Sequence, residues 1–307
     1  FFSSRRRHTR SCLVSWARKM CIRDRLGLNA PVSEVDRSQV QSQVLSDNKS
    51  EKKDPIVDVA EATFAYGRNI ILESVEMQIH DSEFWCFIGP NGEGKTTLIK
   101  ALLGALRPKR GLIRLRPDFA RRTRIGFVPQ NCDLNPTVPT TIQSFVIQGT
   151  AGLPVGESKL KQRVQKSLEV MGIQHIRDRS IWKVSGGQRQ RAMVARALVR
   201  DPLLMIVDEP TAGLDLAASS GLLKTITELN RQHGITVIFV THDLQLAGHH
   251  ASHVAVFKNR RVTCGPVAEA LTGENLGNAF GVPTEVRPDP SGGYVVRANI
   301  EQPEVFA

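Results

Sequence analysis

Phe84-Trp85-Cys86-Phe87-Ile88, followed by Gly89-Pro90-Asn91-Gly92-Glu93-Gly94-Lys95-Thr96-Thr97, is the stretch on which the fold turns. The first five residues are a continuous apolar run, as expected of a strand buried on both faces. Gly89 to Thr96 fits GxxxxGK[ST], and a helix-like segment, Thr96–Leu103, follows at once. Strand, glycine loop and helix in that order make a phosphate-binding loop. Gly92 and Gly94 free the backbone to turn its N–H groups onto phosphate oxygens. The helix behind them presents its positive end to the same anion. Lys95 is placed to neutralise β- and γ-phosphates, and the Thr96 hydroxyl to ligate Mg²⁺. Gly89, Asn91 and Thr97 complete the expected nucleotide-binding set around it.

Outward from this loop, strands alternate with helices. Ile56–Val59 and Ile70–Ile79 read as an antiparallel pair, and Ile125–Val128 as a short strand. Residues 140–180 are helical in pattern, with Leu160, Val164, Leu168 and Met171 at helical spacing. Gln188–Val199 and Ala217–His233 read as helices, Leu203–Val207 and Ile235–Val240 as buried strands. Val254–Phe257 and Arg261–Cys264 bracket a hairpin turn at Asn259-Arg260, and Tyr294–Val296 is a late strand after short helices. The order predicts an α/β fold: a P-loop NTPase core with a mainly parallel sheet, an antiparallel β edge and a helical subdomain. One buried strand ends in Asp208-Glu209, at the carboxyl edge where such sheets bind ligands. Asp208 is expected to hold Mg²⁺, usually through water, and Glu209 to polarise the attacking water as general base.

Between the loop and these acids stands Val184-Ser185-Gly186-Gly187-Gln188-Arg189-Gln190-Arg191. It resembles the LSGGQ signature of ABC ATPases, with Val in place of the leading Leu. The resemblance covers about residues 55–275, and every landmark falls in the family's order. It implies that Tyr66, in Phe64-Ala65-Tyr66-Gly67, stacks on the adenine of ATP. It implies that Gln130 contacts Mg²⁺ and the attacking water, in a loop facing a membrane partner. His242, in Val240-Thr241-His242-Asp243, matches the switch histidine that contacts the γ-phosphate. Asp215 matches the D-loop aspartate, with Ala212-Gly213 replacing the commoner Ser-Ala. Ser185, Gly186, Gly187 and Gln188 open a helix expected to run from Gln188, and in the family that turn serves the ATP held by the opposite subunit. The chain is therefore expected to hydrolyse ATP as a dimer, with an identical copy as the expected second subunit. Glu93 departs from the small residue usual in the phosphate loop; an acid there repels ATP unless it points to solvent.

Transport needs a permease, which the family supplies as separate transmembrane subunits, fed in importers by a substrate-binding protein. Pro136-Thr137-Val138-Pro139-Thr140-Thr141-Ile142 resembles a stretch of the ATPases of zinc, manganese and iron-chelate importers. So does the tail, Gly265-Pro266, Leu271–Leu276 and Phe280-Gly281-Val282. A zinc- or manganese-type importer ranks first, and an iron-siderophore or cobalamin importer second. The other class is a soluble ABC protein of translation or DNA repair. Translation types usually carry two ATPase halves, and repair types a long coiled coil before the signature. Here there is one half, and Lys95 and Ser185 lie only 90 positions apart without heptads. His249, His250 and His253 read as a polar helix end, where histidine complements the dipole.

The chain has 307 residues, enough for a substantial core, and a formal charge of +11. Residues 1–30 carry eight basic residues against one acid, leaving 33 basic and 29 acidic residues in the remainder. The folded part is thus only mildly basic, and no nucleic-acid partner is expected. No apolar run approaches the ~18 residues that cross a bilayer. The expected location is the cytoplasmic face of the membrane, peripheral to it. Five cysteines without a CxxC pair form neither a disulfide framework nor a zinc pattern. Met20-Cys21-Ile22-Arg23-Asp24-Arg25 resembles a reading frame of a sequencing adapter, so residues 1 to about 25 are expected to be an assembly artefact, the alternative being a disordered basic arm. Residues 31–54 read as linker, 55–275 as the ATPase domain with its helical subdomain at about 132–187, and 276–307 as an extension.

Overall fold

The computed structural model describes residues 54–299 apart from 120–121, 132–134, 136, 155 and 291. The expected artefact or arm at the N-terminus, Pro136 of the importer-like stretch and the last eight residues lie outside the described residues. In chain order, β1 (Val57–Tyr66) and β2 (Asn69–Ile79) form an antiparallel hairpin, with Val57 opposite Ile79 and Tyr66 opposite Asn69. Their alternating apolar residues, among them Val57, Val59, Leu72 and Met77, are buried, as period two demands. β3 (Phe84–Ile88), buried throughout, leads through the glycine loop into α1 (Lys95–Leu102). β4 (Arg110–Leu115) joins the other side of β1, giving a three-stranded antiparallel sheet of order β2-β1-β4. Arg116, just past β4, ties that sheet to the turn before β3: its guanidinium forks onto Asp81 at 2.6 and 2.9 Å.

The main sheet begins with β5 (Ile125–Val128). α2 (Ile142–Ile147) and α3 (Glu157–Val170) follow, and both pack on α4 (Gly186–Leu198), which in turn lies against β5. β6 (Leu204–Asp208), α5 (Leu216–His233), β7 (Thr236–Val240), α6 (Leu244–His250), β8 (His253–Lys258) and β9 (Arg261–Pro266) complete the core. The six strands lie in the order β5-β6-β7-β3-β8-β9, with all neighbours parallel except the last pair. β3, β6 and β7 occupy interior places in the sheet, which is why they read as unbroken apolar runs. Phe84 stacks on Phe239 across them, and Phe87 meets Phe257.

α7 (Val267–Ala270), α8 (Gly273–Phe280) and the hairpin of β10 (Thr284–Pro288) with β11 (Tyr294–Ala298) close the described chain. The 275/276 boundary expected from the sequence falls inside α8, whose Leu276 and Ala279 are wholly buried in the main core together with Val296 of β11. β4 and β10 were not expected. β4 is mostly exposed and β10 half-buried to exposed, with no fully buried residue in either, so neither carries the apolar alternation that marks a strand. Of the three histidines placed at a helix end, His249 and His250 do finish α6, but His253 opens β8 and stacks on Trp85 with ring centroids 4.8 Å apart.

Candidate functional site

β5, β6, β7 and β3 are mutually parallel neighbours, so their carboxyl ends open on one edge of the sheet. Each delivers a segment singled out in the sequence. β3 delivers the glycine loop. Gly89, Gly92 and Gly94 all have positive φ there, at 144°, 87° and 101°. Two of these glycines are also required by neighbours. A Cβ on Gly89 would stand 2.5 Å from the Phe257 carbonyl oxygen, and one on Gly94 2.7 Å from the Leu72 side chain. The loop is thus wedged between β8 on one side and β2 on the other. Lys95 is only 6% exposed, and its ammonium donates to the carbonyls of Gly89 and Pro90 at 2.6 and 2.8 Å. Burial pushes the Lys95 ammonium below the ordinary lysine value, while the carboxylates of Glu209, Asp208 and Glu93 pull the other way.

β6 delivers Asp208 and Glu209. Glu209 is the first residue past the strand and has φ 46°, rare for a side-chain-bearing residue. Its N–H donates to the Val240 carbonyl at 3.1 Å, which extends the β6–β7 ladder by one rung. The carboxylate is turned across the strand ends. Oε2 accepts from Nε2 of Gln130, two residues past β5, at 2.7 Å. Oε1 lies 2.5 Å from Nε2 of His242, two residues past β7. The sheet order β5-β6-β7 is therefore repeated in the side-chain order Gln130, Glu209, His242. Burial, with the Glu209 charge adding to it, lifts the Asp208 carboxyl above the usual carboxylate range; Lys95 and His242 oppose the shift.

His242 is anchored on both sides. Thr241 donates its N–H to the Phe87 carbonyl, and its hydroxyl accepts from the Asp243 N–H at 3.0 Å. Asp243 caps α6 by accepting from the Leu246 N–H. A divalent cation has a fitting donor set here. The exposed Thr96 hydroxyl makes no hydrogen bond among the described residues, and the half-buried Asp208 carboxylate lacks a direct cationic contact among them. One hydroxyl and one carboxylate, completed by phosphate oxygens and water, is the hard-oxygen set that suits Mg²⁺.

The signature lies on a different element. Ser185 is the N-cap of α4, which starts at Gly186 and not at Gln188 as expected. The reason is a capping box: Ser185 Oγ accepts from the Gln188 N–H at 3.2 Å, and the Gln188 side chain accepts from the Ser185 N–H at 3.1 Å. Ser185 and Gly186 are exposed. The D-loop packs directly beside them. A Cβ on Gly187 would come within 2.9 Å of Ala218, and one on Gly186 within 3.5 Å of Leu214. Asp215 caps α5, accepting from the Ala218 N–H at 2.7 Å. Among the described residues no hydrogen bond or ion pair connects residues 185–188 with residues 89–96. Tyr66 ends β1, 47% exposed, with the Lys100 ammonium of α1 5.8 Å from its ring centroid.

Three participants were not anticipated. Asp243 carries a signal, an acid directly before an apolar-periodic segment. Lys258, which pairs with Glu93, and Gln245, which binds β11, carry none, because their partners are distant in sequence. Glu93 does not point freely to solvent, the way out envisaged for an acid in this loop.

The ABC transporter family model matches residues 72–212. The zinc import ATP-binding protein ZnuC of Pseudomonas fluorescens (strain Pf0-1) is 33% identical over 221 residues, 72% of this chain and 80% of that protein. The zinc transport system ATP-binding protein TroB of Treponema pallidum is 35% identical over 232 residues, 73% of this chain and 86% of that one. The ferric enterobactin transport ATP-binding protein FepC of Escherichia coli is 34% identical over 245 residues, 75% and 89% of the two chains. Among solved structures, cbiO1 of Clostridium perfringens, part of the ABC transporter complex cbiONQ, superposes with a TM-score of 0.64 at 31% identity, over 73% of this chain and 93% of that one. A chain from an inward-facing ABC transporter assigned to the metal-chelate type gives 0.72 at 26% identity, over 80% and 98%. No helix of the described residues is long and apolar enough to cross a membrane.

Proposed function

The chain belongs to the ABC transporter family of ATP-binding proteins, and from that premise we propose that it is the ATPase subunit driving import of a zinc- or manganese-type metal ion through a partner permease. The observation that carries the catalytic half is the convergence of Gln130 and His242 on the two oxygens of Glu209. Lys95 and the N–H groups of residues 89–97 bind the triphosphate, and Tyr66 stacks on its adenine. Thr96, Asp208 and Gln130 would hold Mg²⁺, which would supply charge neutralisation at the phosphate oxygens. Glu209 accepts a proton from the water whose oxygen attacks the γ-phosphorus, as the bond to the ADP oxygen breaks. Gln130 holds that water, and His242 donates to the γ-phosphoryl oxygens.

The capping-box turn Ser185–Gln188, exposed on α4 and backed by the D-loop, serves the nucleotide of a second copy. ATP thus joins two chains head to tail, and its hydrolysis parts them. The subunits sit on the cytoplasmic face of the membrane against the permease, which receives cargo from a substrate-binding protein. The zinc relatives support the choice of cargo. A ferric-siderophore importer is the second reading, favoured by the similarity to a ferric enterobactin ATPase over 89% of that protein. The test is to isolate the chain with the membrane protein that accompanies it and reconstitute both in vesicles. Zinc or manganese with the cognate binding protein should raise ATP turnover. Stimulation by a ferric siderophore alone would assign the second reading, and no stimulation by any of them would end the importer assignment.

A further inference from the structure

The phosphate loop carries a carboxylate in its middle, Glu93, among N–H groups that must accept a triphosphate. Its side chain is 20% exposed and directed at β8, where Oε1 stands 3.7 Å from the Lys258 ammonium. Lys258 is the last residue of β8 and pairs with Arg261 across a two-residue turn, Asn259-Arg260, whose φ values are 47° and 65°. Two positive φ values in succession are the mark of a tight hairpin turn matched to strand twist. That turn is itself fastened, because the Arg260 carbonyl accepts from the Glu73 N–H of β2 at 2.8 Å. The residue before Lys258, Phe257, is the one whose carbonyl presses on Gly89. The end of β8 therefore meets the loop twice, by backbone at its first residue and by charge at its fifth.

We propose that Lys258 is a positioning residue for ATP binding, which holds Glu93 away from the anion cradle and cancels its charge, so that a loop with an acid at this position still accepts a triphosphate. An unpaired carboxylate in the loop raises the cost of every phosphate brought near it. Lys258 acts through Glu93 and touches no nucleotide group.

The test is ATP titration by calorimetry on the full chain, comparing wild type with Lys258→Ala, Lys258→Arg, Glu93→Gln and the double variant Glu93→Gln/Lys258→Ala. Lys258→Ala should weaken ATP about three- to tenfold, because the freed carboxylate repels a ligand that carries several charges. Lys258→Arg should restore affinity to within about twofold, since it keeps the cation. The loss should shrink in ~1 M salt, where charge effects are screened and packing effects are not. In the Glu93→Gln background Lys258→Ala should have almost no effect, the signature of coupled sites. Wild-type affinity in Lys258→Ala, or an equal loss in the Glu93→Gln background, would overturn the proposal. Should Lys258→Ala alone fail to fold, the comparison of Glu93→Gln with the double variant still decides it.

Discussion

Glu209 sits at φ 46°, a conformation that costs a non-glycine residue about 1–2 kcal/mol, and the backbone that imposes it is held by the hydrogen bond to Val240. The effect of the strain is directional. A residue continuing β6 in extended form would send its side chain to one face of the sheet; at this φ the carboxylate instead crosses the strand ends to reach Gln130 and His242. Glu209→Gln keeps the size and removes the proposed base. ATP should still bind, while single-turnover hydrolysis should slow by roughly 10²–10⁴. Unimpaired turnover in that variant, followed by rapid-quench phosphate release, would contradict the role given to Glu209. Single residues were legible where the chemistry needs them adjacent: Lys95-Thr96 and Asp208-Glu209 announce themselves. The contact of Gln130 with Glu209, across 79 positions, was not, because it depends on β5 lying beside β6 in the sheet. The pairing of Glu93 with Lys258 was hidden for the same reason.

At the scale of elements, α6 connects the His242 side of the site with the C-terminal hairpin. Gln245 behaves like a short piece of strand: its amide donates to the Val296 carbonyl, and its oxygen accepts from the Val296 N–H at 3.4 Å. His249 adds two contacts, Nδ1 with the Gly292 carbonyl at 3.2 Å and Nε2 with Asp289 at 3.6 Å. Gly248 leaves no room for a side chain, as a Cβ there would stand 2.2 Å from the Tyr294 carbonyl oxygen. Gln245→Ala strands both polar groups of Val296, a loss of about 1–3 kcal/mol. The amides of β10 and β11 should then exchange with deuterium faster, with little change in β6 or β7. Equal protection of the hairpin in both proteins would show that the amide pairing does not hold it. The interior strands were legible because burial on both faces leaves unbroken apolar runs. β4 and β10 were not, because a strand without a fully buried side chain is held by backbone pairing that its sequence does not report.

For the whole molecule, the Gln130–Glu209–His242 cluster and the signature turn belong to separate elements, and among the described residues no hydrogen bond or ion pair joins residues 185–188 to 89–96. Leu216, next to Asp215 and the first residue of α5, is 84% exposed. An apolar side chain of that size in water is an ordinary feature singly, but here it adjoins a helix N-terminus that offers unpaired N–H groups. If a second copy completes each site, Ser185→Arg should abolish ATP-dependent dimer formation while leaving nucleotide affinity of the single chain within about twofold. Light scattering after gel filtration, on a Glu209→Gln background that retains ATP, would show it. A dimer persisting in that variant would place the interface elsewhere.

β6 and β7 run side by side with Leu204 facing Thr236 and Asp208 facing Val240, five rungs without a bulge. Their composition is forgiving, since one aliphatic residue fills such a layer much as another does. Their length is not. Losing a single residue from 204–208 would swap inward for outward along the remainder and carry Asp208 and Glu209 to the wrong side of the strand. Variation in this region should therefore appear as exchanges among Leu, Ile, Val and Met, and never as a gap.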